Sequence, residues 1–407
     1  MLNSSPNVER VSSTISGYMP VLNGYRGVAI LLVFLHHCVS DLAGEHAESI
    51  NAVYRDLMNS LWCGVDAFFV LSGFLIAGIL LDSREKPNYF QNFYARRILR
   101  IFPLYYVFLI IFLGVIHPLI RSYEYPNHMD DIQIWYWFYL ENWQWIYEGV
   151  FLTRPIDHLW SLAIEEQFYL ICPAVVYFLP RRLLSWFLGI VILSVIVFRS
   201  WLVLTHPLSY TLSSSIYVNS LCRVDALAIG CLTALWMRSD KILHRLLSIS
   251  PILTILSGLS LSIIIITQGG FNKFNPVLLS IGFSVIAIFC SSLIILSVSQ
   301  SENSPLVRCL SWSPLQGLGT VSYGFYVYHF PILWMLCDRI YEYVGHSFIL
   351  GHIASFFSCG VLTLVISIGS WFYLEKPILK LKSYFPSQPE EKFISGVANS
   401  ESEISNA

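Results

Sequence analysis

The stretch VLNGYRGVAILLVFLHH, at residues 21–37, decides the fold of this chain. It is apolar over a length that suits a membrane-spanning helix, with Arg26 near one end and His37 near the other. These residues are eleven positions apart, almost three helical turns, so their side chains are predicted on one face about 16 Å apart. An ionisable side chain inside a membrane is costly and usually functional. The alternative is that Arg26 reaches a lipid headgroup and His37 ends the helix at the other interface.

The composition indicates a membrane protein with many spans. Of the 407 residues, 55% are hydrophobic and 12% are charged, whereas soluble proteins carry about 25% charged residues. The mean hydropathy is +0.61, and the first apolar segment is interpreted as a retained span, not a cleaved signal peptide. The nine cysteines are isolated, so neither a disulfide framework nor a metal site is expected. Nothing in the sequence indicates nucleic-acid binding.

Apolar windows long enough to cross a bilayer predict an all-α, polytopic fold with about ten transmembrane helices. The windows lie at residues 22–40, 61–81, 98–118, 159–179, 184–204, 216–237, 247–267, 276–298, 317–337 and 350–374. The interval 119–157 is rich in tryptophan and tyrosine, which is typical of an interfacial or re-entrant segment.

The distribution of basic residues predicts the orientation. With ten spans, sixteen Lys and Arg residues fall on the side that holds both termini, five on the other side and three inside spans. The positive-inside rule then places both termini in the cytoplasm, in an inner or plasma membrane. The predicted parts are a cytoplasmic N-terminal tail at 1–20, a membrane domain at 21–380 and a disordered cytoplasmic tail at 381–407.

With that orientation, five spans bring ionisable or hydroxyl groups to the outer half of the membrane. These groups are His37, Asp66, His158, Glu165, Arg223, Asp225, Ser322, Tyr326 and His329. Polar side chains that extend independently toward lipid headgroups are not expected to lie at one depth. The pattern therefore favours a functional cavity.

A second cluster, NFYARRILRIFP at residues 92–103, lies at the cytoplasmic start of the third span. It contains Arg96, Arg97 and Arg100, and the last two share a helix face. Arginines in this arrangement suit a phosphate group. The alternative is a basic anchor that follows the positive-inside rule.

Together the motifs resemble the acyltransferase family 3 of integral-membrane O-acyltransferases. The resemblance rests on LNGYRGVAILLVFLHH, GVDAFFVLSGFLI, FYARRILRIFPLYY, HLWSLAIEEQFYL, CRVDALAIG, SYGFYVYHFP and WFYLEKP. It implies a ten-helix membrane domain that takes an acyl group, usually acetyl, from cytoplasmic acyl-CoA. The group goes to a hydroxyl of a carbohydrate, glycolipid or small-molecule acceptor.

The resemblance also implies roles for individual residues. Arg26 and His37 are the expected essential pair, and Arg97 and Arg100 are expected to meet the CoA phosphates, with Arg96 and Arg26 beside them. Asn23 stands where an aspartate is common in the family. Some members carry an additional extracytoplasmic hydrolase-like domain, and because this sequence contains none, we expect direct transfer within the membrane domain.

Acyl transfer to an alcohol needs a base, stabilisation of the oxyanion and placement of both substrates. We expect His37 to be the general base, with Glu165 or Asp66 orienting its other ring nitrogen. A covalent acyl-enzyme stays open as an alternative. The expected substrate-binding residues are Arg223, His158, Trp160, Ser72, Tyr326 and His329. His158 is equally suited to an interfacial role.

A transporter or flippase for a glycan-type substrate is the main alternative function, because ionisable groups at one depth also line transport pathways. Such a protein is expected to show inverted repeats, and none is visible in the sequence. Transport also gives no reason for the arginine cluster.

Overall fold

The computed structural model describes residues 19–40, 58, 60–120, 129–148, 155–268, 270–345 and 348–386, and every regular element in them is helical. The predicted all-α fold is therefore confirmed. In chain order the helices are α1 (Pro20–Ser40), α2 (Gly64–Ser83), α3 (Tyr89–Ile111), α4 (Met129–Trp137), α5 (Glu141–Glu148), α6 (Trp160–Phe178), α7 (Arg181–Thr205), α8 (Tyr210–Val218), α9 (Ser220–Met237), α10 (Asp240–Gln268), α11 (Phe283–Ser299), α12 (Pro305–Leu310), α13 (Ser313–Thr320), α14 (Ser322–Tyr343) and α15 (Phe348–Ser370).

Short turns extend several of these helices. π-Helical turns at Phe112–Ile116 and Trp371–Glu375 continue α3 and α15, and another at Leu278–Gly282 leads into α11. A one-turn helix at Lys376–Leu379 and a 3-10 turn at Lys380–Tyr384 follow the second of these π-helical turns, and a 3-10 turn at Asp157–Leu159 precedes α6.

Nine helical segments of the described chain are long and apolar enough to cross a membrane. They correspond to nine of the ten predicted spans. The other predicted span, at 317–337, is divided between α13 and α14. At 22 residues α14 is long enough to cross, but its tyrosines and charged residues make it less apolar than the other nine.

The extent of burial distinguishes the central helices of the bundle from the peripheral ones. The apolar windows of α2 and α9 are 78% and 72% buried, whereas those of α7 and α10 are only 17% buried. In a bilayer the exposed leucine and isoleucine side chains of α7 and α10 face the lipid. The core of the bundle therefore lies around α2 and α9.

Helices α2 and α9 cross closely because a glycine on each faces the backbone of the other. A Cβ atom on Gly73 would collide with the carbonyl oxygen of Leu227, and one on Gly230 would collide with that of Val70. Small residues at such crossings let the backbones of membrane helices pack directly.

Close contacts of glycines with a neighbouring backbone also fix α1 at the end that carries Arg26. A Cβ atom on Gly24 would collide with the carbonyl oxygen of Leu310, and one on Gly319 of α13 would collide with that of Asn23. This end of α1 therefore cannot rotate without displacing α13. We call the side of the bundle at Arg26 the arginine face and the side at His37 the histidine face.

The described part of the aromatic interval contains only the short helices α4 and α5. The hydroxyls of Tyr105 and Tyr106 on α3 donate to the carbonyls of Tyr136 and Trp137 at 2.9 and 3.1 Å. These bonds tie α4 to α3, so the described residues of α4 lie against the bundle.

Candidate active site

A cavity of about 400 Å³ opens at the arginine face. Its cationic lining residues are Arg26, Lys86, Arg96, Arg97, Arg100 and Lys382, and no described residue that lines it is acidic. They come from α1, from the start of α3 with the turn before it, and from the last described turn. Like charges repel when they gather around one space. The cavity therefore suits a polyanion.

Arg97 and Arg100 both line this cavity, as residues on one face of a helix can. Arg100 lies 3.8 Å from a carboxylate oxygen of Glu375, whereas Arg97 lies over the ring of Tyr169, 4.8 Å from its centroid. Within the part of the chain that the structure describes, Glu375 is the one carboxylate in salt-bridge distance of either arginine.

Arg96 holds the last described turn against α3. Its Nη1 donates to the carbonyls of Lys382 and Phe385 at 3.2 and 2.9 Å. Asn92 donates to the carbonyl of Pro386 at 3.0 Å. These last described residues, which the sequence analysis assigned to the polar tail, form one wall of the cavity.

Arg26 stands where this cavity meets a second, narrower one of about 110 Å³. The two cavities share Arg26, Arg97 and Arg100 as lining residues. Asn23 accepts a hydrogen bond from Arg26 at 3.2 Å through its side-chain oxygen. An asparagine therefore orients Arg26 without neutralising it.

The narrow cavity contains a hydroxyl–carboxyl network. Ser72 donates to Oε1 of Glu165 at 2.7 Å, and the Tyr169 hydroxyl lies 3.0 Å from Oε2 of Glu165 and 2.9 Å from the Ser72 hydroxyl. Glu165 and Ser72, predicted for catalysis and for substrate binding, thus lie together and within reach of the arginines.

Ser161 and Tyr326 also line the narrow cavity. Their hydroxyls are 2.5 Å apart, and the Tyr326 hydroxyl donates to the carbonyl of His158 at 2.7 Å. The ring centroids of Tyr326 and His329 are 5.5 Å apart. Tyr326 therefore connects the lining of the narrow cavity to a group of histidines.

Three histidines from α1, α14 and the turn before α6 come together here. Nδ1 of His37 is 2.8 Å from Nε2 of His329, and Nδ1 of His329 is 2.6 Å from the carbonyl oxygen of Tyr326. Nε2 of His158 lies 3.2 Å from the carbonyl oxygen of Val327, and its ring centroid is 5.2 Å from that of His329. We call His37, His158 and His329 the histidine cluster.

The carboxylates that were expected to orient His37 lie elsewhere. Oδ1 of Asp66 accepts a hydrogen bond from Arg223 at 2.8 Å, while its Oδ2 has no hydrogen-bond partner among the described residues. Glu165 is bonded to the two hydroxyls of the narrow cavity. The structure instead gives the His37 ring a partner on α14, because α14 packs against α1 at this depth.

Arg223 and Trp160, predicted to bind the acceptor, are packed inside the bundle and line neither cavity. Arg223 is 1% exposed, with its guanidinium 4.0 Å from the centroid of the Phe283 ring. Trp160 is 6% exposed and lies 4.9 Å from Tyr217 between ring centroids. Both side chains therefore lie inside the bundle, and Nε and Nη1 of Arg223 have no hydrogen-bond partner among the described residues.

A second buried ion pair was missed by the sequence analysis. Arg199 of α7 lies 2.8 Å from Oδ2 of Asp225 and donates to the hydroxyl of Ser284 at 2.6 Å. Arg199 is fully buried. Its position in an otherwise apolar span was the available signal, because an arginine inside a membrane needs a partner.

Glu141, at the start of α5, is a buried acid with no cation in salt-bridge distance among the described residues. It is 0% exposed, and its carboxyl oxygens have no hydrogen-bond partner within the described ranges. Burial raises the pKa of this carboxyl well above its usual range. Burial therefore favours the protonated form of this carboxyl.

Comparison with known proteins gives the family. A family model described as "Acyltransferase domain" matches residues 20–372. The peptidoglycan O-acetyltransferase OatA of Listeria monocytogenes is 31% identical over 341 residues, which cover 78% of this chain and 49% of that protein. The putative peptidoglycan O-acetyltransferase YrhL of Bacillus subtilis is 31% identical over 376 residues, 89% of this chain and 55% of the relative.

The O-acetyltransferase OatA of Staphylococcus aureus is 27% identical over 380 residues, 89% of this chain and 57% of the relative. This chain thus spans about half the length of the curated relatives it matches. No solved structure matches it. The family match covers nearly all of the membrane bundle, and the chain therefore belongs to the acyltransferase family of integral-membrane proteins.

Proposed function

We propose that this protein transfers an acetyl or related acyl group from acyl-CoA to a hydroxyl of a cell-envelope carbohydrate. The proposal rests on the order in which two cavities and the histidine cluster follow each other between the arginine face and the histidine face. A cationic cavity, with no acid among its described lining residues, adjoins a narrow cavity whose lining includes Tyr326, next to the histidine cluster. A donor with several phosphates and a long uncharged arm matches that order. The relatives named as peptidoglycan O-acetyltransferases support a glycan acceptor.

The proposed orientation puts the arginine face in the cytoplasm, where acyl-CoA is made. The sixteen basic residues on the side of the termini support this orientation. A carbohydrate on the opposite side of the membrane then approaches from the histidine face. The membrane domain, predicted at 21–380, holds every residue needed for this route, apart from Lys382 in the cavity wall.

Donor binding in this proposal is divided between two sets of residues. Arg97 and Arg100 hold phosphate oxygens through charge-assisted hydrogen bonds. Arg26 holds the donor at the junction of the two cavities, and the uncharged arm passes Glu165 and Ser72. The thioester then lies near Tyr326.

His37 acts as the general base. The acceptor O–H gives its proton to the imidazole while the oxygen forms a bond to the thioester carbonyl carbon. The C–S bond then breaks, and the thiolate of CoA takes the proton back from the imidazolium. The products are an ester and CoA-SH, and the enzyme returns to its starting state.

His158 is proposed to position the acceptor. Its Nε2 faces the carbonyl oxygen of Val327 and therefore carries a proton, because a carbonyl only accepts. The Nδ1 of a neutral ring is then an acceptor, and it has no hydrogen-bond partner among the described residues. We therefore expect Nδ1 of His158 to accept a hydrogen bond from a substrate hydroxyl.

The test uses the purified chain in nanodiscs, with acetyl-CoA binding and acetyl transfer to muropeptides measured side by side. Arg97→Gln with Arg100→Gln is expected to lose donor binding, and His37→Gln is expected to bind donor without turnover. The matched control is Arg181→Gln with Arg182→Gln, an exposed pair at the start of α7 that lines no described cavity. Failure of the wild-type chain to bind any acyl-CoA would sink the proposal and direct attention to transport.

A further inference from the structure

The rings of His37 and His329 meet nearly edge to edge. Their centroids are 5.1 Å apart, their planes differ by 22°, and Nδ1 of His37 is 2.8 Å from Nε2 of His329. In this arrangement the N–H of one ring points along the lone pair of the other. One nitrogen must donate and the other must accept, and the N···N distance alone does not say which.

The surroundings of His329 decide the direction. Its Nδ1 lies 2.6 Å from the carbonyl oxygen of Tyr326 and 3.2 Å from that of Phe325. Because carbonyl oxygens only accept, Nδ1 of His329 carries the proton. His329 is 0% exposed, and its hydrogen bonds within the described residues reach His37 and these carbonyls, with no carboxylate among them. A charged ring there would be buried without a counter-ion, so the ring is neutral.

A neutral ring with a proton on Nδ1 offers Nε2 as an acceptor. Nδ1 of His37 is therefore the donor in the bond between the two histidines. We propose that His329 is a positioning residue that holds neutral His37 in the Nδ1–H tautomer, with Nε2 of His37 as the atom that receives the proton of the acceptor. The inference rests on the proposed function and identifies the partner of its base.

The hydrogen bond from His37 to His329 takes the orienting role that was expected of a carboxylate. In a catalytic triad an acid accepts a hydrogen bond from one ring nitrogen, which fixes both the tautomer and the orientation of the base. Here Nε2 of His329 accepts that bond, and the carbonyl of Tyr326 fixes His329 in turn. When His37 takes a proton on Nε2, its Nδ1–H bond to His329 remains in place, and the proton leaves with the thiolate.

The activity test compares two substitutions at His329. Leucine removes the acceptor, and we expect kcat for acetyl transfer to fall about 100-fold, the lower range of a general-base contribution. Glutamine extends an amide oxygen toward the same point, and we expect it to restore kcat about tenfold relative to leucine. KM for acetyl-CoA is expected to stay unchanged in both, because His329 lines no part of the arginine-face cavity.

The matched control is Tyr328→Phe, which removes a hydrogen bond from the same helix to Ser370. It is expected to leave kcat unchanged. Equal losses in the leucine and glutamine variants, or a leucine variant with wild-type kcat, would overturn the proposal. A purely structural role for His329 would lower thermal stability and donor binding in both variants together.

The second test reads the tautomer directly. Nitrogen-15 NMR of histidine-labelled protein in nanodiscs, with His37 assigned through His37→Gln, is expected to show a protonated Nδ1 and an unprotonated Nε2. In His329→Leu the proton is expected to move to Nε2. The opposite tautomer in the wild-type chain would refute the inference. Because this measurement needs no substrate, it separates a failure of the inference from a failure of the proposed function.

Discussion

Arginines occur in two regions of this bundle, and their surroundings differ. Toward the histidine face, Arg199 and Arg223 are 0% and 1% exposed, and each pairs at 2.8 Å with an aspartate. At the arginine face, the arginines share a cavity of about 400 Å³ that no described acidic residue lines. In the first region each arginine pairs with an aspartate inside the protein. In the second, Glu375 is the one described carboxylate in salt-bridge distance of Arg97 or Arg100, and the cavity has room for an external anion.

We infer that this difference separates structural charges from charges that serve ligand binding. A buried ion pair is complete when the chain folds, and breaking it exposes an uncompensated charge to an apolar interior. Cations around a cavity repel each other until a ligand arrives. The arginine that was expected to bind the acceptor, Arg223, belongs to the first kind. The arginines expected to bind phosphates belong to the second.

The largest expected effect comes from breaking a buried pair. Arg199→Leu leaves Asp225 without its partner and is expected to cost about 3–5 kcal/mol of stability. Thermal unfolding in nanodiscs measures this loss. The double variant Arg199→Leu with Asp225→Leu is expected to recover most of it, because an apolar pair of similar volume replaces the ion pair. A single variant as stable as wild type would remove the distinction between the two regions.

The second prediction concerns how many phosphates the cavity recognises. Acetyl-CoA is expected to bind about 10- to 100-fold more tightly than its 3′-dephospho form, the range of one lost contact between charged groups. The reason is that the cavity is lined by more positive charges than a diphosphate alone can neutralise. The difference is expected to shrink as salt is raised from low to physiological ionic strength.

Calorimetric titrations with both donors check this expectation. The Arg97→Gln with Arg100→Gln variant is expected to bind both weakly. Equal affinity of the wild-type chain for the two donors would mean that the surplus cations serve another purpose.

A smaller effect is expected from the terminal turn. Lys382→Gln removes one cation from the cavity wall while the backbone bonds of Arg96 to the turn remain. Donor affinity is expected to fall about 3- to 10-fold, with kcat at saturating donor unchanged. The control is Lys380→Gln, an exposed neighbour outside the cavity. If both lysines have the same effect, the turn contributes only general positive charge.

The smallest effect tests Glu141, a buried acid with no cation in salt-bridge distance among the described residues. Burial raises the pKa of Glu141, so between the unfolded and folded pKa values the native state binds more protons than the unfolded state. The free energy of unfolding then falls as pH rises through that window. Glu141→Gln mimics the neutral acid and is expected to unfold a few degrees higher than wild type at pH 8.

The advantage of Glu141→Gln is expected to shrink as pH falls and to disappear well below pH 4, where the acid is protonated in both states. Melting curves between these pH values check the trend, with the exposed Glu148→Gln as the control. An advantage of equal size at every pH would show that Glu141 titrates normally.

The sequence was sufficient for features that depend on local periodicity. The apolar windows marked the spans because each helix must satisfy its backbone hydrogen bonds alone in lipid. The spacing of Arg97 and Arg100 put them on one face, and both do line one cavity. Lys382 was missed because a lone lysine near a polar end looks like solvent-exposed charge, and only the bonds from Arg96 bring it to the site.

Composition and periodicity by themselves determined that this is an all-α membrane protein with Arg26 and His37 toward opposite ends of one helix. Only the tertiary structure decided that Asp66 pairs with Arg223 and that the ring of His37 faces His329. The physical reason is that depth follows from position in a span, whereas partners follow from the rotation and crossing of helices. Backbone contacts at residues such as Gly73 and Gly230 set that crossing between segments far apart in the chain.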